Sequence, residues 1–149
     1  MPPVELRLSV PVEATPEVVW AAATDWERQG EWMLGTEVHQ VSGTGGPGTR
    51  LVAVTGLGGI GIVDRMEVVA WQPPHRCRVR HLGKPLVGDG GFEVVRCGNA
   101  ASMFVWWERL ELPPGGGLVW PVVRPAFAWG MRRSLAAFAA FCRGGEGVR

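Results

Sequence analysis

Tyrosine is absent from this chain of 149 residues, lysine occurs once, at Lys84, and cysteine occurs three times, at Cys77, Cys97 and Cys142. An odd number of widely spaced cysteines argues against a disulfide framework and suits reduced thiols in a cytoplasmic protein. The missing tyrosine and near-missing lysine are read as compositional bias of the source and carry no functional meaning. Long apolar runs are missing too. The opening MPPVELRLSV has no signal-type apolar stretch, and Leu118–Met131 is interrupted by Pro121, Arg124 and Pro125. Neither export nor a membrane span is expected. An excess of one charge sign is also lacking: fifteen basic against fourteen acidic side chains leave +1. That field is too weak for phosphate-driven binding, so no nucleic-acid partner is expected.

What is present is apolar and turn-rich. Hydrophobic residues make up 46%, and the eight tryptophans exclude intrinsic disorder. Twenty-two glycines and twelve prolines without a collagen period imply many tight turns, hence many short strands. The length suits one domain over residues 1–149.

Val4, Leu6, Leu8 and Val10 alternate with Glu5 and Arg7, the pattern of a strand with one buried face. Thr15 and Pro16 then read as cap and first turn of a short helix ending before Asp25, with a second from Trp26 to Met33. Six further strands are expected, at Glu37–Ser42, Thr49–Thr55, Ile62–Trp71, Arg76–Leu82, Gly91–Cys97 and Ser102–Leu112. Their short separators favour an antiparallel meander. Phe127, Met131, Ser134, Leu135, Phe138 and Cys142 share one helical face, predicting a terminal helix from Pro125 to Cys142, about 27 Å long. The fold class is therefore α+β: a seven-stranded curved antiparallel sheet around a long C-terminal helix, with two short helices after the first strand. Such a sheet leaves a concave apolar space against its helix, where ligands bind.

Val19-Trp20, Asp25-Trp26, Trp32-Met33, Gly48-Thr49-Arg50, Asp64-Arg65-Met66-Glu67-Val68 and Trp71-Gln72-Pro73-Pro74 together resemble the START-related SRPBCC proteins of helix-grip fold. The resemblance runs from Val4 to about Phe141 and is nearest the bacterial polyketide cyclase/dehydrase-like branch. It implies an apolar or aromatic ligand held under the last helix, no cofactor and no metal, since the metal ligands of ring-hydroxylase relatives are missing here. It supplies no invariant catalytic motif, so residue roles rest on pattern.

Several motifs fail on context. Gly56-Leu57-Gly58-Gly59-Ile60-Gly61 matches G-x-G-x-x-G, but the segment after it, IVDRMEVVAW, alternates as a strand. A dinucleotide site needs a helix there, so the glycines read as a hairpin loop. His75, Cys77 and His81 share strand parity, yet positions 75 and 81 lie roughly 20 Å apart, too far for one ion. No nucleophile motif is present. Arg76, Arg78 and Arg80 make one basic strand face, most simply a solvated one.

The informative residues are two acids on apolar strand faces. Asp64 lies in the set Ile62, Asp64, Met66, Val68, Ala70, and Glu108 in Phe104, Trp106, Glu108, Leu110, Leu112. A buried carboxylate must be bonded, paired or protonated, and such acids cluster at functional sites. The structural alternative pairs them with loop amides, Arg65 or Arg109. Two functions follow. The first is binding or transport of a hydrophobic small molecule, aromatic or lipid-like, on Trp32, Met66, Trp106, Glu108, Met131 and Phe138. The second is a cofactor-independent polyketide cyclase, aromatase or dehydratase, with Glu108 or Asp64 as general acid/base and His81 assisting. Whether a reaction is catalysed, and whether the chain forms a homodimer, are left open by the sequence.

Overall fold

The computed structural model describes residues 3–57, 60–83 and 87–148. In chain order it contains β1 (Val4–Val12), α1 (Pro16–Ala23), a 3-10 helix (Trp26–Glu31), β2 (Thr36–Ser42), β3 (Arg50–Leu57), β4 (Ile60–Gln72), β5 (Arg76–Leu82), β6 (Val87–Gly98), β7 (Ala101–Leu110) and α2 (Gly116–Val148). All seven strands form one antiparallel sheet in the order β1-β7-β6-β5-β4-β3-β2. The meander from β2 to β7 is as the short separators predict, and β1 closes the far edge on β7. The sheet curves around α2, the helix-grip arrangement.

Local chemistry accounts for the connections. The Thr15 hydroxyl accepts the Val18 N–H at 3.3 Å, and Pro16 starts α1 where no amide donor is needed. The second helical segment stops at Glu31 instead of Met33 and is 3-10 in form. Gly30 there lies against the returning chain, where a Cβ would meet the Thr36 carbonyl oxygen at 2.8 Å.

Three further sequence expectations are corrected. The terminal helix begins at Gly116, not Pro125, and runs beyond Cys142. Pro121 and Pro125 lie inside it, where each removes an internal hydrogen bond, and both are exposed. Leu118, Val119, Val122 and Val123 of this extra stretch are exposed, so it adds little to the core. Strand β6 begins at Val87, not Gly91, because the glycines flanking Asp89 are pressed against neighbouring strands and are not a turn. In β4 the pairing with β5 shifts between Val68 and Ala70, so Trp71, not Ala70, reaches the core and packs edge-on to Trp20 at 5.0 Å. Gly58 and Gly59 of the glycine-rich motif lie outside the described residues, but Leu57 pairs with Ile60, so β3 and β4 form the expected hairpin.

The core sits between the inner sheet face and α2. Val12, Val19, Leu51, Val68, Val94, Phe104, Leu135 and Phe138 are nearly or fully buried there, joined by Trp20, Trp26 and Trp32. Met131, Ser134, Leu135, Phe138 and Cys142 of the predicted stripe are buried on α2, joined by Ala128, while Phe127 is only partly buried. No helix among the described residues is long and apolar enough to cross a membrane.

Candidate acid–base site

Three strands bring three titratable side chains to one place on the inner sheet face. Asp64 stands on β4 opposite Ala53, His81 on β5 between Met66 and Gly88, and Glu108 on β7 between Leu6 and Gly90. His81 Nδ1 lies 2.9 Å from the Asp64 carboxylate, and His81 Nε2 lies 2.9 Å from Glu108 Oε2. The imidazole side chain is 2% exposed, whereas the two carboxylates keep 12% and 13%. The histidine is thus enclosed and the acids form its partly accessible ends.

The electrostatics follow from that arrangement. Burial alone favours a neutral imidazole, but hydrogen bonds to Asp64 and Glu108 and their charges outweigh it and push the His81 pKa up to about 10. At neutral pH His81 is an imidazolium donating from both nitrogens. Burial raises the Glu108 pKa; the His81 hydrogen bond and charge oppose this, while the negative charges of Asp64 and Asp89 add to it. The three groups are coupled, and a proton gained or lost belongs to the cluster. The set can hold a proton near neutrality and pass it through a carboxyl end.

The structural alternative of an arginine partner does not hold. Arg65 and Arg109 are exposed on the opposite sheet face, and the residue between the acids is His81. The sequence pattern places Asp64 and Glu108 inward and casts His81 only as an assistant, whereas His81 stands at the centre of the hydrogen-bonded cluster.

The six residues expected to line a ligand divide in two. Met66 pairs with His81 across β4 and β5, and Trp106 lies two residues from Glu108 on the same face. Met131, with Leu6 and Ala128, forms a small buried cluster against which Trp106 packs. Trp32 and Phe138 instead belong to the main core. Phe138 lies 4.6 Å from Trp32 and 4.3 Å from Phe104 between ring centroids, and Trp32 lies 6.2 Å from Trp106. Rings therefore fill the centre of the sheet–helix space, where an open cavity is expected from the bent sheet. Two described hollows lie elsewhere: one of about 340 Å³ between α1 and the end of α2, the other of about 330 Å³ on the outer face beside Arg78, Asp89 and Arg109.

Gly90 is a site residue that sequence reading misses. A Cβ there would sit 2.6 Å from Glu108 Oε2, so the bare backbone opens the path by which Glu108 reaches His81. Its signal was the GDGG cluster, which also reads as a turn.

Residues 3–142 match the family model for polyketide cyclase / dehydrase and lipid transport. The chain belongs to that family. Its fold is close to TTHA0849 from Thermus thermophilus, with a TM-score of 0.79 and 21% identity over 95% of this chain and 99% of that one. The Zhui aromatase/cyclase from Streptomyces sp. R1128 aligns with a TM-score of 0.73 and 13% identity over 95% and 94% of the two chains. Norcoclaurine synthase from Thalictrum flavum aligns with a TM-score of 0.73 and 14% identity over 98% and 99%. At these identities the likeness concerns the fold alone. A search of curated proteins finds no match. Membership of the polyketide cyclase / dehydrase and lipid transport family spans enzymes and carriers, so the side chains must decide between them.

Proposed function

We propose that this chain is a cofactor-independent acid–base catalyst acting on a hydrophobic, polyketide-like small molecule, in the manner of a cyclase, aromatase or dehydratase. The observation that carries the reading is the hydrogen-bonded chain Asp64–His81–Glu108 on the inner sheet face. Three ionisable groups in a wall that apolar residues would fill at lower free-energy cost call for a chemical reason. Enolisation and dehydration need protons moved at carbon and oxygen, and a carboxyl whose pKa is raised by burial is suited to moving them. In this reading Glu108 is the general acid/base, His81 holds the exchangeable proton beside it, and Asp64 fixes the imidazolium. Trp106, Met66 and Met131 supply the apolar surface nearest the reacting end, and Trp32 and Phe138 the surface further in. Residues 1–149 act as one ligand-binding domain, and Cys77 and Cys97, both free thiols, suit the cytoplasm.

A carrier is the second reading, supported by the aromatic wall of Trp32, Phe104 and Phe138 and by the lipid-transport part of the family description. One experiment separates the two. Deuterium exchange at the methyl group of 2-acetylnaphthalene, followed by NMR, reports enolisation without a known substrate. The protein should speed the exchange, and Glu108→Gln should slow it by about 100-fold or more while probe affinity stays within about threefold. Exchange unchanged by Glu108→Gln overturns the catalytic reading. Binding with no exchange above buffer leaves the carrier.

A further inference from the structure

The N-terminal turns of α2 carry an apolar stripe that faces away from the protein. Leu118, Val122, Pro125 and Trp129 recur at helical spacing on the side opposite Phe127, Met131 and Phe138, spread over about 17 Å of helix. Leu118 is 85% exposed, Val122 78% and Trp129 59%. Leu34, also exposed, lies beside Gly130 and widens the patch. Large apolar side chains thus meet water along one convex ridge, the mark of an interaction surface. The charge around the ridge has one sign. Arg132 and Arg133 continue the stripe, Arg124 stands beside it, and no acid occurs between Gly116 and Gly145. Among the described residues none of these three forms an ion pair, whereas Arg7, Arg78 and Arg143 each hold an acid. The Arg133 guanidinium lies instead 5.4 Å from the centre of the Trp129 ring, at the border between the apolar and cationic parts.

We propose that this ridge docks the protein on the surface of an anionic lipid bilayer. Leu118, Val122 and Trp129 enter the boundary of the acyl chains, and Arg124, Arg132 and Arg133 meet lipid phosphates, the division of labour of an interfacial helix. Trp129 suits that depth, with an apolar ring and a donor nitrogen for the wet side. The helix lies on the bilayer without crossing it, since no helix among the described residues is long and apolar enough to do so. A second copy of the chain is a poorer occupant, because two such ridges packed together would bring arginines to a helix with no acid to receive them. An acidic protein would need a groove for a convex helix, whereas a fluid surface needs none. The inward side of the same segment carries Phe127, packed with Leu6, the register partner of Glu108. Docking therefore holds the Glu108 end of the sheet at the lipid, whatever the site binds or catalyses.

Co-sedimentation of the full chain with sucrose-loaded vesicles is the test. Vesicles of equimolar phosphatidylcholine and phosphatidylglycerol should bind at least about tenfold more tightly than phosphatidylcholine alone, and about 0.5 M salt should remove most of that difference. Leu118→Ser combined with Val122→Ser should weaken binding by about tenfold or more at unchanged Tm, because both side chains are exposed in the free protein. Arg132→Gln combined with Arg133→Gln should abolish the preference for anionic lipid. Brominated lipid chains should quench the fluorescence of the unmodified chain more than that of Trp129→Phe. No binding to anionic vesicles, no preference over phosphatidylcholine, or equal binding by the double serine variant overturns the proposal. A concentration-dependent dimer in sedimentation equilibrium that the double serine variant dissolves would assign the ridge to a second copy and overturn it too. Retention on poly-glutamate as tight as on vesicles, and lost in the same variant, would assign the ridge to an acidic protein with the same consequence.

Discussion

Glu108 on β7 reaches His81 on β5 although β6 runs between their strands, and the two side chains meet at 2.9 Å over Gly90. The bridge exists because the strand beneath it has no side chain at that point. A Cβ on Gly90 would lie 2.6 Å from Glu108 Oε2 and 2.8 Å from its Cδ.

Gly90→Ala should therefore push Glu108 away from His81 and lower the histidine pKa. The lost charge-assisted hydrogen bond predicts about 1.5–3 kcal/mol of destabilisation. NMR titration of His81 and chemical denaturation measure both effects, and an unchanged His81 pKa would contradict the bridging role. Gly91→Ala should be more damaging, because a Cβ there meets the backbone carbonyl of Cys77, which cannot swing aside as a carboxylate does.

The charge state of His81 sets a direction for pH dependence. Its folded pKa of about 10 lies above the ordinary 6.5, so the folded state keeps a proton that the unfolded state releases between these values. The stabilisation is complete below about pH 6.5, declines as pH rises, and is gone once the folded pKa is passed. The raised Glu108 pKa acts with the same sign at lower pH. Tm should fall between pH 7 and 10, and His81→Asn should flatten that fall. A Tm that rises over this range in the unmodified chain would rule the imidazolium out.

Removing the middle of the cluster should cost more than removing all of it. His81→Leu leaves Asp64 and Glu108 without their shared cation and predicts a loss of about 3–5 kcal/mol. The triple replacement of Asp64, His81 and Glu108 by Leu should recover most of that stability, since apolar packing replaces buried charge. Urea denaturation compares them, and a triple variant weaker than His81→Leu would show that the cluster supports the fold by itself.

Phe138→Ala tests the aromatic centre. The ring is fully buried against Trp32 and Phe104, so its loss predicts about 3–5 kcal/mol of destabilisation. Val122→Ala, on the exposed first turns of α2, should change stability by less than about 0.5 kcal/mol. Similar Tm values for the two variants would place Phe138 outside the core.

The strand faces were legible because a period of two needs only local residues. Alternation in β4, β5 and β7 is enough to turn Asp64, His81 and Glu108 inward, and the 3.6-residue period of α2 marks Met131, Leu135 and Phe138 as its buried face. Local rules misjudged β6 and the start of α2. Glycine and proline report what the backbone can do, not what it packs against, and Gly88, Gly90 and Gly91 are demanded by neighbouring strands. The sequence by itself thus determined the fold class and most of the core-facing pattern, while the register shift in β4 decided that Trp71 and not Ala70 faces the core. That Asp64, His81 and Glu108 form one proton-sharing chain was decided only by tertiary structure. Asp64 and Glu108 are far apart along the chain, and only the pairing order of the sheet, with a glycine at the crossing, brings both within hydrogen-bonding distance of one imidazole.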